Sequence, residues 1–382
     1  MAQTIRTLTI VGFKSIRELV DFPLSSLNVL IGANGAGKSN FVSFFKLLRE
    51  MIEQRLQLAL ATSEGGADAC LHLGPKITSE FRAEVRFGRN AYAFTLVPTP
   101  GNRLVFSDET TIFDGDHRFA RTPLGSGHAE AKLKNWKDEP GTRGAEHGVE
   151  HYVFEAISNW VVYHFHDTSL LASVRRMQPI NDNTVLRQNA ENLAAFLYRI
   201  QQTHPRDYSR IRDVVRLAAP FFDDFTLRPV PATPDLIQLE WRQRDSDYLF
   251  RAHQLSDGTL RFICMATALL QPNRPATVLF DEPELGLHPY ALTLLGNLFK
   301  QVVKGTGQII ISTQSAPLLN EFAPEDIIVV ERSNGASTFR RLESALLSEW
   351  LEDYTLGELW QKNVLGGRPH EDHLAKPQYD GG

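Results

Sequence analysis

Residues 32–39 read GANGAGKS, and no other stretch limits the fold of this chain so tightly. The pattern G-x-x-x-x-G-K-S is a phosphate-binding loop, and it works only between a strand and a helix. Both flanks comply. The run LNVLI before it is short and apolar, while Phe41, Phe44, Phe45, Leu48, Met51 and Ile52 recur behind it at helical spacing. The loop glycines let the backbone curl until its N–H groups face an anion. Lys38 brings a cation to the outer phosphates, and Ser39 offers a hydroxyl to Mg²⁺. Gly32, Ala33, Asn34, Gly35, Ala36, Gly37, Lys38, Ser39 and Asn40 are therefore the expected contacts of a nucleoside triphosphate, ATP with Mg²⁺.

A partner motif stands far along the chain, at TVLFDEPELGLHP. Four apolar or β-branched residues deliver Asp281 to the end of a buried strand, where a carboxylate can hold Mg²⁺ through water. Glu282 follows it and is placed to orient and deprotonate an attacking water.

Around these motifs the chain has a readable organisation. TIRTLTIVGFKSIRELVDF predicts a hairpin of half-buried strands, and FRAEVRF alternates apolar and charged residues as a strand does. Asp114 to Gly148 is polar and predicts a long surface excursion. Residues 183–219 turn helical, and LIQLEWR predicts a strand with Ile237, Leu239 and Trp241 on one face. The last third alternates apolar strands with helices, the mark of a parallel sheet covered on both sides. With 382 residues, 42% of them hydrophobic, the chain can bury a large core, and its net charge of −5 argues against coating nucleic acid by charge alone. Cys70 and Cys264 read as buried thiols in a reducing compartment. No signal peptide and no apolar span of membrane length is present, so a soluble cytoplasmic protein without membrane contact is expected. Sustained heptads, and hence long coiled-coil arms, are absent.

The stretch LSDGTLRF precedes Asp281 by about a helix and a turn. There it resembles the LSGGQ signature of ATP-binding-cassette (ABC) ATPases as Leu255, Ser256, Asp257, Gly258 and Thr259, with Asp and Thr as departures. TLTIVGFKSI, DEPELGLHP, STQSAPLL and LGELWQKNVLGGRP extend the resemblance, over nearly the whole chain, to RecF/SMC/OLD-like bacterial ATPases without coiled-coil arms. The resemblance implies an α/β fold: an ABC-type P-loop ATPase head, RecF-like, with an inserted α+β lobe. The head comes from residues 1–60 and 245–345, the lobe from 61–244, a helical segment from 346–368, and 369–382 form a disordered tail. It also implies that two copies pack head to tail, so that Ser256, Asp257 and Gly258 contact the ATP of the partner. Lys14 and Ser15 fall where related proteins line the nucleotide pocket, and Glu284 to His288 occupy the D-loop along the dimer seam. The switch position, usually His, is Gln314. Glutamine donates a hydrogen bond but carries no proton, which points to slow or conditional hydrolysis by Glu282 and Gln314. Roughly seventy residues follow Gln314, too few for the nuclease domain that larger relatives carry there. The implied role is the regulatory ATPase of a bacterial defence or toxin-like module whose effector, nuclease-like, is a separate protein. The alternative is a RecF-like repair ATPase that binds DNA.

Three lesser constellations complete the reading. His164 and His166 in YHFHD share one face of a strand and, with no third ligand in sight, read as structural. Arg206, Arg210, Arg212 and Arg216 read as a solvated helix face rather than a DNA-binding stripe, given Asp207 and Asp213 between them. Phe339, Trp350 and Trp360 are expected to pack on the core.

Overall fold

The apolar alternation at the N-terminus folds into the hairpin it predicts: Ile5–Phe13 and Ile16–Pro23 pair antiparallel and close at Phe13 and Ile16, with Lys14 in a left-handed conformation at φ 50°. The computed structural model describes residues 4–62, 65–115, 118–139, 146–305 and 307–367. The chain divides into two compact units, Met1–Trp160 with Ala323–Gly382, and Val161–Phe322.

In the first unit the hairpin belongs to a six-stranded antiparallel sheet. It runs Ile16–Pro23, Ile5–Phe13, Phe81–Phe87, Asn90–Thr99, Arg103–Gly115 and Arg118–Gly125. Phe81, Ala83, Val85 and Phe87 are all buried, as their alternation requires. The strand before the phosphate loop, Leu27–Ile31, is buried at every position and lies parallel to Ile327–Ser333, which pairs antiparallel with Ala336–Arg341. The helix after the loop, Lys38–Ile52, turns its aromatic face onto both sets of strands. Phe44 meets Phe81 edge-on at 6.1–6.3 Å contacts shared with Phe13, and Phe41 lies 5.5 Å from Phe339. Aromatic pairs of this kind add about 0.5–1.5 kcal/mol each beyond their buried area, so the helix that carries the loop is firmly seated.

The described part of the stretch from Asp114 to Gly148 lies mostly at the surface, as its polarity suggests, but it is more regular than a loop. The sixth strand runs through Arg118–Gly125, a short helix follows at Leu133–Trp136, and Ala131 and Leu133 are fully buried. Its anchor is Glu109, itself fully buried, whose carboxylate accepts from the N–H groups of Lys132 (2.9 Å) and Leu133 (3.1 Å) and from the Tyr92 hydroxyl (2.7 Å). These few polar groups serve an internal network while their neighbours face solvent. Residues 116–117 and 140–145 of this stretch lie outside the described residues.

The second unit contains a strand–helix–strand turn: Thr277–Asp281, Pro289–Val303 and Gln308–Thr313, with the two strands parallel and Asp281 opposite Ser312. The helix Asp257–Leu270 buries every residue from Leu260 onward. Two further helices, Leu193–Thr203 and Pro205–Ala218, appear as the periodicity predicts. LIQLEWR is split rather than continuous: Thr233–Ile237 joins one small sheet and Glu240–Gln243 another, which lets Ile237 and Trp241 be buried in separate places. On the second of those helices, Arg210, Arg212 and Arg216 each stand within 4.0 Å of an aspartate carboxylate, as a solvated, paired face should. Of the terminal aromatics, Trp350 does not reach the core and is 47% exposed; its helix, Ser344–Asp353, buries only Leu347. Cys70 and Cys264 are buried, and neither forms a disulfide among the described residues. The expected tail from 369 onward lies outside the described residues, and among those that are described no helix is long and apolar enough to cross a membrane.

Candidate nucleotide-binding site

The first unit carries the phosphate loop. Between Ile31 and Lys38 the chain has no regular structure, and Gly35 and Gly37 take left-handed φ values of 79° and 115°. A side chain at Gly37 would be strained in backbone and would collide with Ser337 Oγ. Lys38 is buried, and its Nζ donates to the carbonyl oxygens of Gly32 (2.6 Å) and Ala33 (3.0 Å). The ammonium thus lies across the loop it must serve. Asn34, Gly35 and Ser39 are exposed, so the mouth of the loop and the Ser39 hydroxyl face solvent.

Lys14 and Ser15 do gather at this loop. Asn40 Nδ2 donates to Ser15 Oγ at 2.7 Å, and Lys14 Nζ donates to Ser43 Oγ at 2.8 Å on the loop's own helix. The sequence reading missed two supports. Ser337 Oγ lies 2.6 Å from both Ser15 Oγ and the Ala36 carbonyl oxygen. Its single hydrogen serves one of them, so donation to the carbonyl leaves it accepting from Ser15. At the chain's far end the Gly367 N–H donates to Glu331 at 2.8 Å, and a Cβ on Gly367 would stand 3.3 Å from Gly32 Cα. The glycine pair in VLGG is the signal for that close approach, legible only once Gly32 is known to be its neighbour.

The second unit carries the acidic motif and the switch. Glu282 has a left-handed φ of 45°, and its N–H donates to the Ser312 carbonyl at 2.7 Å, which turns the chain sharply off the end of the strand. Gln314 Nε2 donates to Glu282 Oε1 at 2.5 Å, and the Gln314 N–H donates to Glu284 Oε1 at 2.8 Å. Gln314 and Glu282, the residues expected to act as switch and base, are thus in direct contact. Asp281 Oδ1 is buried with no hydrogen-bond partner among the described residues, an oxygen suited to a cation or its water shell.

Burial pushes the Glu284 carboxyl above its ordinary value, against the Gln314 N–H that favours the anion. Its other oxygen is buried with no hydrogen-bond partner among the described residues. A carboxyl raised in the folded state contributes stability that is complete below its unfolded pKa and is lost as pH rises through the folded one. Glu284→Gln keeps an acceptor for Gln314 and never ionises. Its melting temperature should therefore exceed the wild type's increasingly from acid to neutral pH, with the gap closing below the ordinary carboxyl range. A gap by calorimetry that is flat in pH would refute the assignment.

The signature stretch begins a helix as expected. Ser256 is the N-cap of Asp257–Leu270, its Oγ accepting from Thr259 N at 3.1 Å, and it is exposed. Thr259 Oγ1 lies 2.8 Å away, and when it donates, the Ser256 hydrogen is left to point outward. A side chain on Gly258 would run into the carbonyl of Gly286, in the segment expected to be the D-loop, which accounts for glycine at that place in LSDG. Two arginines that the motif reading did not single out hold this region. Arg175, its side chain 3% exposed, donates to Asp257 Oδ1 (2.7 Å) and to the carbonyls of Ala252 and Leu255. Arg261, inside LSDGTLRF itself, reaches the carbonyls of Phe165 (2.7 Å), His166 (2.9 Å) and Leu285.

His164 and His166 lie just beyond the strand Trp160–Tyr163 rather than on it, and a third potential ligand that the sequence did not reveal stands near them. One nitrogen of each ring and a carboxylate oxygen of Asp281 all lie within 4.8 Å of one another.

Known proteins share the fold of this chain. Among solved structures the chain is similar to an SMC head bound to the C-terminal winged-helix domain of ScpA, at 18% identity and a TM-score of 0.54, covering 90% of this chain and 99% of that one. It is also similar to an SMC head domain with an extended coiled coil bound to the C-terminal domain of ScpA, from Pyrococcus furiosus, at 16% identity and a TM-score of 0.49, covering 91% and 98%. The first of these shows the fold, that of an SMC- and RecF-like ABC-ATPase head with an inserted α+β lobe. A search of curated proteins gave no match. The family model described as "AAA domain, putative AbiEii toxin, Type IV TA system" matches residues 27–320. That span runs from the strand before the phosphate loop to just past Gln314, well over half of the chain, and it makes the protein a member of that family.

Proposed function

We propose that this protein binds ATP with Mg²⁺, closes head to tail around it as a dimer, and hydrolyses it slowly or conditionally. In this reading the head is residues 1–60 and 245–345, and 61–244 is the inserted lobe. Gly32 to Asn40 bind the phosphates, with Lys14 and Ser15 beside them. Ser39 and Asp281 are the Mg²⁺ ligands, and the ion would neutralise phosphate charge. Glu282 is the general base for water and Gln314 its positioning partner. The observation that carries the reading is Lys38, buried and donating to the Gly32 and Ala33 carbonyls inside a complete phosphate loop. The hydrogen bond from Gln314 to Glu282 supports conditional turnover, since the amide donor occupies Oε1 until that contact is rearranged. Family membership supports a toxin-like or defence module as the setting. The effector, nuclease-like, is a separate protein that the ATP-bound dimer holds.

The trans role of Ser256 gives the test. Ser256→Arg sacrifices an N-cap, about 1 kcal/mol of stability, and places a bulky cation at the proposed seam. It should leave ATP binding to the single subunit nearly intact while abolishing hydrolysis that depends on dimer concentration. Mixed with Lys38→Ala, it should regain up to about half of the wild-type rate per mixed dimer, because one composite site then has both residues intact. A Ser256→Arg protein that turns over at the wild-type rate would sink the head-to-tail reading.

A further inference from the structure

The ATPase reading uses Asp281 but neither imidazole beside it. His164, His166 and Asp281 present two nitrogens and a carboxylate oxygen within 4.8 Å of one another. Tetrahedral ligands about 2.1 Å from one ion stand about 3.4 Å apart, so the widest pair would close by up to about 1.4 Å, which rotation of the side chains must supply. Each ligand sits on backbone that is already fixed. Asp281 ends a strand paired with Ser312, and its Oδ1 is buried without a partner among the described residues. The histidine segment is clamped from behind by Arg261, which donates to the Phe165 and His166 carbonyls. His166 Nε2 lies 2.9 Å from the Asp281 carbonyl oxygen. Donation there leaves the lone pair of a neutral ring on Nδ1, the second-shell arrangement common to metal-binding histidines.

The donor set decides the metal. Mg²⁺ favours oxygen ligands and keeps its waters, whereas imidazole nitrogens with a single carboxylate suit divalent transition ions. We propose that His164, His166 and Asp281 form a site for a divalent transition cation of the Mn²⁺, Co²⁺ or Zn²⁺ class, and that it fills without nucleotide. The ion shares Asp281 with the proposed Mg²⁺ position, so its presence links metal supply to the ATPase site, but its binding does not depend on the ATPase reading.

The test uses the full chain without an affinity tag, stripped by chelator. His147 and His151, whose rings stack 3.8 Å apart elsewhere in the protein, are replaced by alanine so that they cannot supply a second pair. Co²⁺ added without nucleotide should bind at about one ion per chain, give ligand-field absorption, and be displaced by Zn²⁺. His166→Gln keeps a donor for the Asp281 carbonyl and loses the imidazole lone pair; with folding checked by circular dichroism, it should bind Co²⁺ at least 10-fold more weakly, and His164→Asn likewise. X-ray absorption of the Zn²⁺-loaded protein with both histidines intact needs neither variant and should count two imidazoles. Lys38→Ala should bind Co²⁺ as the wild type does, which separates failure of this site from failure of the ATPase. An all-oxygen shell, no Co²⁺ uptake, or unchanged affinity in a folded His166→Gln protein would each overturn the proposal.

Discussion

Lys38→Ala is expected to weaken ATP binding about 10- to 100-fold, the cost of removing a charge-assisted hydrogen bond worth about 1.5–3 kcal/mol, and to reduce hydrolysis to background. Two losses coincide. The ammonium is the only cationic group within the loop sequence 32–40, so no other loop side chain can neutralise phosphate charge. Its Nζ also bonds the Gly32 and Ala33 carbonyls, and alanine leaves these without that donor and the loop without its internal tie. Folding should survive, because the helix behind the loop is anchored by Phe41, Phe44 and Phe45, all buried. Titration calorimetry with ATP and a steady-state rate measure the two effects. Wild-type values for both would show that the loop binds no nucleotide.

Glu282→Gln should preserve ATP binding and lower hydrolysis by about 10²–10⁴-fold, the usual worth of a general base. The amide matches the carboxylate in shape and still offers an oxygen to Gln314 Nε2, so the short contact between them can persist while basicity is lost. With ATP retained, the dimer should accumulate, and light scattering in ATP should report about twice the mass of the free chain. A variant that hydrolyses ATP like the wild type removes Glu282 from the role of base. One that stays monomeric in ATP, alongside a wild type that never associates, removes the dimer from the mechanism.

The sequence by itself determined the parts of this protein whose chemistry is built from consecutive residues. The phosphate loop, the strand ending at Asp281 and Glu282, and the helix start at Ser256 were legible because a tight turn, a β-strand and a helix cap each need particular residue types at short, fixed spacing. The same locality made the hairpin at Ile5–Pro23 and the alternating strand Phe81–Phe87 readable. Tertiary structure alone decided which distant residues support those motifs. Ser337 beneath Gly37, Gly367 against Gly32, Arg175 on Asp257, and Asp281 beside His164 and His166 join positions widely separated in the chain. No periodicity links such pairs; they meet because strands and helices pack, and packing is set by the whole core. Between Asp114 and Gly148 polarity marked a mostly exposed stretch but not its anchor: a buried carboxylate such as Glu109 draws the Lys132 and Leu133 N–H groups inward, and a sequence cannot distinguish donors turned toward an internal acid from donors turned toward water.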